Sequence, residues 1–204
     1  MNAKTIITIG RQFGSGGREI GKKLAETLDI PFYDRDLIQL AAKQSGMSEE
    51  VLSENDEKSG GSLLYSLSMG SYLMGSFSGP GEMPLENKLY FIQSDIIKQL
   101  AEKGPCVIVG RCADYVLRDH AGCLRVFIHA DLESRIERIE KLYDLTSKKA
   151  RELIVRTDKR RASYYNYYTD QKWDRIVNYD LCVNSTKVGI DGAVKLIAAV
   201  AQSL

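Results

Sequence analysis

The stretch IITIGRQFGSGGREI, residues 6–20, decides the fold. A β-branched run is followed by a glycine-rich turn and the start of an amphipathic helix, which predicts a strand, a loop and a helix. Gly14, Gly16 and Gly17 permit positive φ and close approach of the backbone, and the first N–H groups of the following helix have no partner within it. Because a curl of such N–H groups holds anions, the stretch predicts a phosphate-binding loop that includes Ser15.

Two other interpretations of this loop stay open. A glycine-rich turn can be a tight connection between a strand and a helix, with no ligand. Gly14-Ser15-Gly16 also begins the dinucleotide fingerprint G-x-G-x-x-G, but Glu19 stands at the position of the third glycine. The dinucleotide interpretation is therefore the weaker of the two.

The loop departs from the phosphate-binding motif G-x-x-x-x-G-K-[ST]. With the second glycine on Gly16, Arg11 falls at the first glycine, Gly17 at the lysine and Arg18 at the Ser/Thr. The motif's lysine and its magnesium-binding hydroxyl are both missing. A cation is still required against the phosphates, and Arg18 on the first helical turn is the first candidate, with Arg11 and Lys22 behind it.

Composition favours one soluble domain, residues 1–204, in the cytoplasm. The chain has 204 residues, 44% hydrophobic and 27% charged, and its net charge of +1 favours neither nucleic acid nor an anionic membrane as a partner. The N-terminus has no signal-peptide pattern, and no apolar run reaches spanning length. The four cysteines have no C-x-x-C spacing and the two histidines form no zinc signature, so we expect reduced, structural thiols.

Strands and helices alternate along the chain, which predicts a doubly wound α/β sheet with mostly parallel strands. Apolar periodicity and capping residues place the elements. We expect strands at 6–9, 30–33, 106–109, 124–129 and 179–184, and helices at 18–28, 37–44, 47–58 and 85–103, after a cap at Asp131, and over 190–201.

Two positions that follow predicted strands are candidates for ligand contact. Asp34 ends the second strand and suits either a helix N-cap or a contact with substrate, and both interpretations stay open. Gly110-Arg111 follows the buried run 106–109, so Arg111 stands at the edge where open α/β sheets bind ligands. We expect Arg111 to be a ligand-contacting cation, with a surface ion pair as the alternative.

The segment 58–84 differs in composition from the rest of the chain. It is rich in Gly, Ser, Met and Tyr, and its leucines and methionines are too apolar for a solvated linker. We expect a mobile insert that packs on a ligand, a partner or a second copy of the chain, which makes a homo-oligomer one outcome to test. An irregular hairpin packed on its own chain is an equal alternative.

A second basic stretch lies within 145–170. Arg156, Lys159 and Arg160 stand at i, i+3 and i+4 and share one face of a predicted helix, and four tyrosines follow them. Such a concentration of positive charge in a nearly neutral chain predicts a lid that closes over phosphates. A solvated basic helix, or a nucleic-acid patch with aromatic stacking, is the alternative.

Taken together, these pieces resemble the cytidylate kinase-like family, within the nucleoside monophosphate kinases, over nearly the whole chain. The matching motifs are the Gly-Ser-Gly-Gly loop at 14–17, Phe32-Tyr33-Asp34, the run 107–111, the arginine-bearing segment 156–161 and Asn184-Ser185-Thr186. Cytidylate kinases carry aspartates on either side of the Gly-Arg pair, where this chain has Val109 and Cys112, with Asp114 as a candidate substitute.

The resemblance implies a P-loop-type three-layer α/β fold with a helical lid and a small insert. It also implies phosphoryl transfer from ATP, with Mg²⁺ whose ligands the sequence does not identify, to a nucleoside monophosphate such as CMP. The alternatives are a kinase of the same fold with a non-nucleotide acceptor, and a non-catalytic nucleotide-binding regulator. The candidate residues are Arg11, Gly14, Ser15, Gly16, Gly17 and Arg18 for the nucleotide phosphates, Asp34, Arg35, Gly110 and Arg111 for the acceptor, and Arg18, Arg111, Arg156 and Arg160 for catalysis.

Overall fold

A five-stranded sheet forms the centre of the protein, and every strand pairing in it is parallel. The computed structural model describes residues 5–34 and 85–204. The sheet order is β2-β3-β1-β4-β5, which places the first strand in the middle and confirms the expected doubly wound α/β fold. The strands are β1 (Ile6–Arg11), β2 (Phe32–Tyr33), β3 (Cys106–Val109), β4 (Cys123–His129) and β5 (Leu181–Asn184).

The described helices connect these strands and cover both faces of the sheet. They are α1 (Gly17–Leu28), α2 (Leu85–Lys103), α3 (Ala113–Val116), α4 (Leu132–Tyr143), α5 (Ser147–Thr169) and α6 (Ser185–Gln202), with a short 3₁₀ turn at Ile176–Asn178. None of these helices is both long enough and apolar enough to cross a lipid bilayer.

Alternation along the central strands sorts the core into two layers. Ile7 and Ile9 of β1 are fully buried in the cluster that includes α1 and α6, whereas Ile6 packs in the opposite cluster with α2 and α3. β3 divides in the same way, since Val107 and Ile108 lie in different clusters. Burying each such isoleucine or valine stabilises the fold by about 1.5–3 kcal/mol, so the hydrophobic strands fix the three-layer arrangement.

Some element boundaries in the structure differ from those predicted from the sequence. The bounds predicted for 85–103 and 106–109 are those observed, but β2 is only Phe32–Tyr33 and β5 begins at Leu181 rather than at 179. Asp131 does precede α4, yet it makes no capping hydrogen bond, because its carboxylate accepts one from the Asn184 side chain at 3.1 Å. The helices predicted at 37–44 and 47–58 and the insert at 58–84 lie outside the described residues.

The tyrosine-rich end of α5 is anchored to the rest of the domain. The Tyr165 hydroxyl donates to the buried carboxylate of Asp114 at 2.6 Å, and the Tyr168 ring stacks on Tyr90 with 4.0 Å between centroids. Asp114, which the sequence offered as a candidate substitute for the aspartates beside the Gly-Arg pair, thus ties α5 to α3. Burial raises the pKa of Asp114 to about 6, above its ordinary value of 3.8.

This raised pKa predicts a pH-dependent stability. The folded state binds the Asp114 proton more tightly than the unfolded state does, so the cost of burying Asp114 is absent below pH 4 and complete above pH 6. In Asp114→Asn the side-chain oxygen still accepts from Tyr165 but does not titrate. We therefore expect the difference in the free energy of unfolding, Asp114→Asn minus wild type, to increase by about 2 kcal/mol when the pH is raised from 4.5 to 7.5. Urea unfolding at the two pH values measures this difference.

Asp119→Asn is the matched control, because the Asp119 side chain is 87% exposed. The free energy of unfolding of Asp119→Asn should vary with pH as that of wild type does. A difference between Asp114→Asn and wild type that stays constant with pH would contradict the assigned pKa.

Candidate phosphate-binding site

The carboxyl ends of the parallel strands bring the polar residues of the site to one edge of the sheet. Arg11 ends β1, Asp34 follows β2, and Gly110-Arg111 follows β3. Because β1 pairs with β3 and β3 pairs with β2, these three ends are neighbours. This is the edge at which open α/β sheets bind ligands.

The loop between β1 and α1 has the backbone that its glycines predict. Gly14 and Gly16 adopt left-handed conformations, with φ of 81° and 77°. Ser15 is buried between them and its hydroxyl donates to the carbonyl oxygen of Gln12 at 2.8 Å, while α1 begins at Gly17. The N–H groups of the first turn of α1 therefore lie at the edge of the sheet, and a helix start of this kind is able to bind an anion.

The loop glycines also make room for neighbouring elements. A Cβ at Gly14 would lie 3.1 Å from the Arg135 backbone oxygen on α4, and one at Gly16 would lie 2.4 Å from the Ile190 side chain on α6. A Cβ at Gly17 would lie 2.5 Å from the Cβ of Arg11. Any side chain at these positions therefore requires neighbouring residues to shift.

Strand β4 and helix α6 hold the loop in place. The Gln12 N–H donates to the Ile128 carbonyl at 3.0 Å, and the Gln12 side-chain oxygen accepts from the Ala130 N–H at 3.2 Å. The Ser185 hydroxyl lies 2.7 Å from the Ser15 carbonyl oxygen and donates to it. The segment 184–186 thus braces the loop from the start of α6, where the Asn184 side chain caps the helix by accepting from the Thr186 N–H.

Three partly buried arginines, Arg11, Arg111 and Arg161, meet beside the loop. Arg161 reaches in from α5, where its Nη1 donates to the Arg11 carbonyl at 3.0 Å and its guanidinium carbon lies 5.5 Å from the centre of the Phe13 ring. Burial, with a smaller contribution from the charge of Arg11, lowers the pKa of Arg161 to about 9 and that of Arg111 to about 10. All three remain cationic at neutral pH, so the edge of the sheet carries concentrated positive charge.

Asp34 lies among these cations. Its carboxylate accepts from Arg18 Nε at 2.6 Å, and its charge raises the pKa values of Arg11, Arg111 and Arg161. The Arg18 side chain is 60% exposed, against 13% for Asp34. Arg18 is therefore an outer residue of the site, held by Asp34 at its rim.

A second carboxylate, that of Asp158 on α5, connects the loop to two helices. It accepts from the Phe13 N–H at 2.7 Å and from Arg135 Nη1 at 2.5 Å, and Arg135 also donates to the Phe13 carbonyl at 3.2 Å. The Arg135 and Asp158 side chains are 10% and 17% exposed. This ion pair fixes the first turn of the loop against α4 and α5.

The inward face of α5 differs from the cationic face that the sequence suggested. Arg156 is exposed and Arg160 is partly buried, whereas the side chains that touch the loop are Asp158 and Arg161. Sequence reasoning did not select these two residues. The feature that could have identified them is the helical spacing of Ile154, Thr157 and Tyr165, which are buried in the structure. This spacing places residues 158 and 161 on the inward side of α5.

The carboxylates at the site are paired with arginines, and no cluster of metal-binding side chains occurs among the described residues. The carboxylates of Asp34 and Asp158 are engaged by Arg18 and Arg135, and residues 5–34 and 85–204 contain no group of three His, Cys, Asp or Glu that could hold a metal ion. Arg35, expected at the acceptor site, lies outside the described residues.

The comparisons with known proteins show the family and the fold of the chain. The family model of the cytidylate kinase-like family matches residues 6–187. An uncharacterised protein from Eubacterium ventriosum superposes with a TM-score of 0.72 at 29% identity, covering 98% of this chain and 99% of that chain. Among curated proteins, no sequence matches the chain.

Two kinases share the fold at low sequence identity. Shikimate kinase from Bacteroides thetaiotaomicron superposes with a TM-score of 0.55 at 14% identity, covering 97% of this chain and 98% of that chain. A gluconokinase from Sinorhizobium meliloti superposes with a TM-score of 0.50 at 15% identity, covering 100% of this chain and 97% of that chain.

The contacts of Asp158 predict a large loss of stability when its carboxylate is removed. Asp158→Ala leaves the Arg135 charge and the Phe13 N–H without this acceptor, and we expect a loss of about 3 kcal/mol in the free energy of unfolding. Glu133→Ala is the matched control on the same two helices, because Glu133 pairs with Arg151 at the surface, with side chains 74% and 51% exposed. The control should lose less than about 1 kcal/mol. Equal losses of unfolding free energy in the two variants, measured by urea unfolding, would contradict the role of Asp158 in fixing the loop against α4 and α5.

Proposed function

Because the chain belongs to the cytidylate kinase-like family of P-loop kinases, we propose that it transfers the γ-phosphoryl group of ATP to a nucleoside monophosphate such as CMP. The observation that carries the proposal is the meeting of Arg11, Arg111 and Arg161 beside the glycine loop. Three guanidinium groups that repel one another in a partly buried site favour a multivalent anion as ligand. Two phosphate-bearing substrates meet that requirement.

In the proposed complex, the loop N–H groups and the start of α1 hold the nucleotide phosphates. The candidates for that role remain Arg11, Gly14, Ser15, Gly16, Gly17 and Arg18. The candidates for binding the acceptor phosphate are Gly110, Arg111 and Asp34, at the ends of β3 and β2. Arg35, which lies outside the described residues, stays a candidate for the same role. The ATP chemistry implies Mg²⁺, which would enter as the complex with ATP.

The proposed reaction needs no covalent intermediate on the protein. An oxygen of the acceptor phosphate forms a bond to the γ-phosphorus as the bond to the β–γ bridging oxygen breaks, and the products are a nucleoside diphosphate and ADP. Negative charge on the transferring group would be met by Arg111 and Arg161, with Arg156, Arg160 and Arg18 as the outer cations. Catalysis on this proposal is positioning together with electrostatic stabilisation.

The fold alone does not select the acceptor. The same fold carries a shikimate kinase and a gluconokinase, whose names give non-nucleotide acceptors, so a kinase with such an acceptor is the alternative. The missing P-loop lysine favours the second alternative, a nucleotide-binding regulator without turnover.

An acceptor screen distinguishes these possibilities. ADP formation from Mg·ATP would be measured with CMP, dCMP, UMP, AMP, shikimate and gluconate, beside a reaction without acceptor. The proposal expects acceptor-dependent turnover with a nucleoside monophosphate. Turnover with a sugar acid or shikimate alone would select the first alternative, and ATP binding without turnover on any acceptor would select the regulator.

A substitution on α5 tests the role of the inward arginine. Arg161→Ala should lower kcat about 100- to 1,000-fold, because it removes one positioned cation from the transferring phosphoryl group. Arg151→Ala makes the same change of charge on the same helix, at a side chain that is 51% exposed and paired with Glu133, and should keep wild-type turnover. Steady-state kinetics of both variants, with thermal unfolding to verify the fold, provide the measurement. Equal kcat in Arg161→Ala and Arg151→Ala would remove Arg161 from the site.

A further inference from the structure

The position of the missing lysine is blocked by another side chain. In the motif G-x-x-x-x-G-K-[ST], Gly17 stands at the lysine and Arg11 at the first glycine. A Cβ at Gly17 would lie 2.5 Å from the Cβ of Arg11 and 3.0 Å from its Cγ. The stem of Arg11 thus fills the space into which a lysine at 17 would extend its first carbons.

From there the Arg11 side chain runs across the carboxyl edge of the sheet to β3. A Cβ at Gly110 would lie 2.2 Å from Arg11 Nη1 and 3.1 Å from the guanidinium carbon. Gly110 has a φ of +81°, so both its conformation and its lack of a side chain suit this close approach. Arg11 therefore lies between two glycines, with its stem against Gly17 and its guanidinium group beside Gly110 at the end of β3.

The other candidate cations are placed less well for phosphate binding. The Arg18 side chain is 60% exposed and paired with Asp34, and the Lys22 side chain is 64% exposed and lies 3.9 Å from Glu26. Arg11 instead lies between the loop, Arg111 and Arg161, and burial lowers its pKa, with Asp34 and Asp158 raising it in part. Of these three cations, Arg11 lies deepest at the carboxyl edge of the sheet.

We propose that Arg11 takes the place of the P-loop lysine, binding the β- and γ-phosphates of a nucleoside triphosphate from the position of the motif's first glycine. This inference rests on the proposed function, since it names the residue that binds ATP there. Two of the three departures from the motif, those at positions 11 and 17, are then one reciprocal exchange: an arginine at 11 requires a glycine at 17.

The exchange predicts an unusual pattern of rescue. Arg11→Gly removes both the cation and the Cβ that blocks position 17. In that background Gly17→Lys recreates the motif as GQFGSGK, with room for the lysine stem. Arg11→Ala keeps the Cβ that lies 2.5 Å from the new one, so Arg11→Ala/Gly17→Lys should not be rescued.

ATP binding by titration calorimetry and thermal unfolding of each variant test this proposal. Arg11→Gly and Arg11→Gln should weaken ATP binding about 10- to 100-fold, the scale for losing a hydrogen bond to a charged group. Gly17→Lys alone should lower both the melting temperature and ATP affinity. Arg11→Gly/Gly17→Lys should recover affinity to within about tenfold of wild type. Arg118→Ala, at an exposed arginine bonded to the Tyr115 carbonyl, is the control with the same change of charge and should bind as wild type.

Each outcome decides the proposal. Wild-type affinity in folded Arg11→Gln, which keeps much of the stem and loses the charge, would overturn it even if the glycine variants failed to fold. A folded double variant that binds ATP no better than Arg11→Gly would overturn the exchange. If wild type itself binds no ATP, the proposed function fails and this inference fails with it. Binding by wild type with no effect at Arg11 removes only the inference.

Discussion

The repulsion among guanidinium groups at one edge of a parallel sheet is the constraint on which the site depends. Arg11, Arg111 and Arg161 come from β1, the end of β3 and α5, and the charge of Arg11 lowers the pKa values of the other two. Such a cluster is stable only where the fold compensates its charge. Asp34 and Asp158 supply part of that compensation, and an anionic ligand would supply more.

Helix α5 connects this charge to the rest of the domain. At its far end, Tyr165 bonds to the buried Asp114 and Tyr168 stacks on Tyr90, so the helix is fixed through its tyrosines. Near the loop, Asp158 accepts from the Phe13 N–H while Arg161 donates to the Arg11 carbonyl. One inward face of a single helix therefore positions both the loop backbone and a cation beside it.

Each glycine of the loop is required for a different physical reason. Gly14 and Gly16 adopt positive φ and adjoin α4 and α6, respectively, whereas Gly17 lies within α1 and leaves room for the Arg11 stem. A motif read letter by letter treats the missing lysine as a loss. In three dimensions the same position is occupied by the side chain of another residue, so the departure from the motif is a matter of packing.

The sequence by itself determined the alternating α/β order, the boundaries of α2 and β3, the glycine-rich turn between β1 and α1 and the family resemblance, because each rests on local periodicity or on a contiguous motif. It placed Arg111 at the carboxyl end of a central strand for the same reason. Only the tertiary structure decided which cations lie inside. Phe13 and Asp158 are 145 residues apart, and Ser15 and Ser185 are 170 apart, yet their hydrogen bonds shape the loop. The periodicity of α5 is compatible with more than one inward face. Packing against α4 and the loop selected the face that carries Asp158 and Arg161. The physical reason is that a helix buries the face whose contacts its neighbours can satisfy.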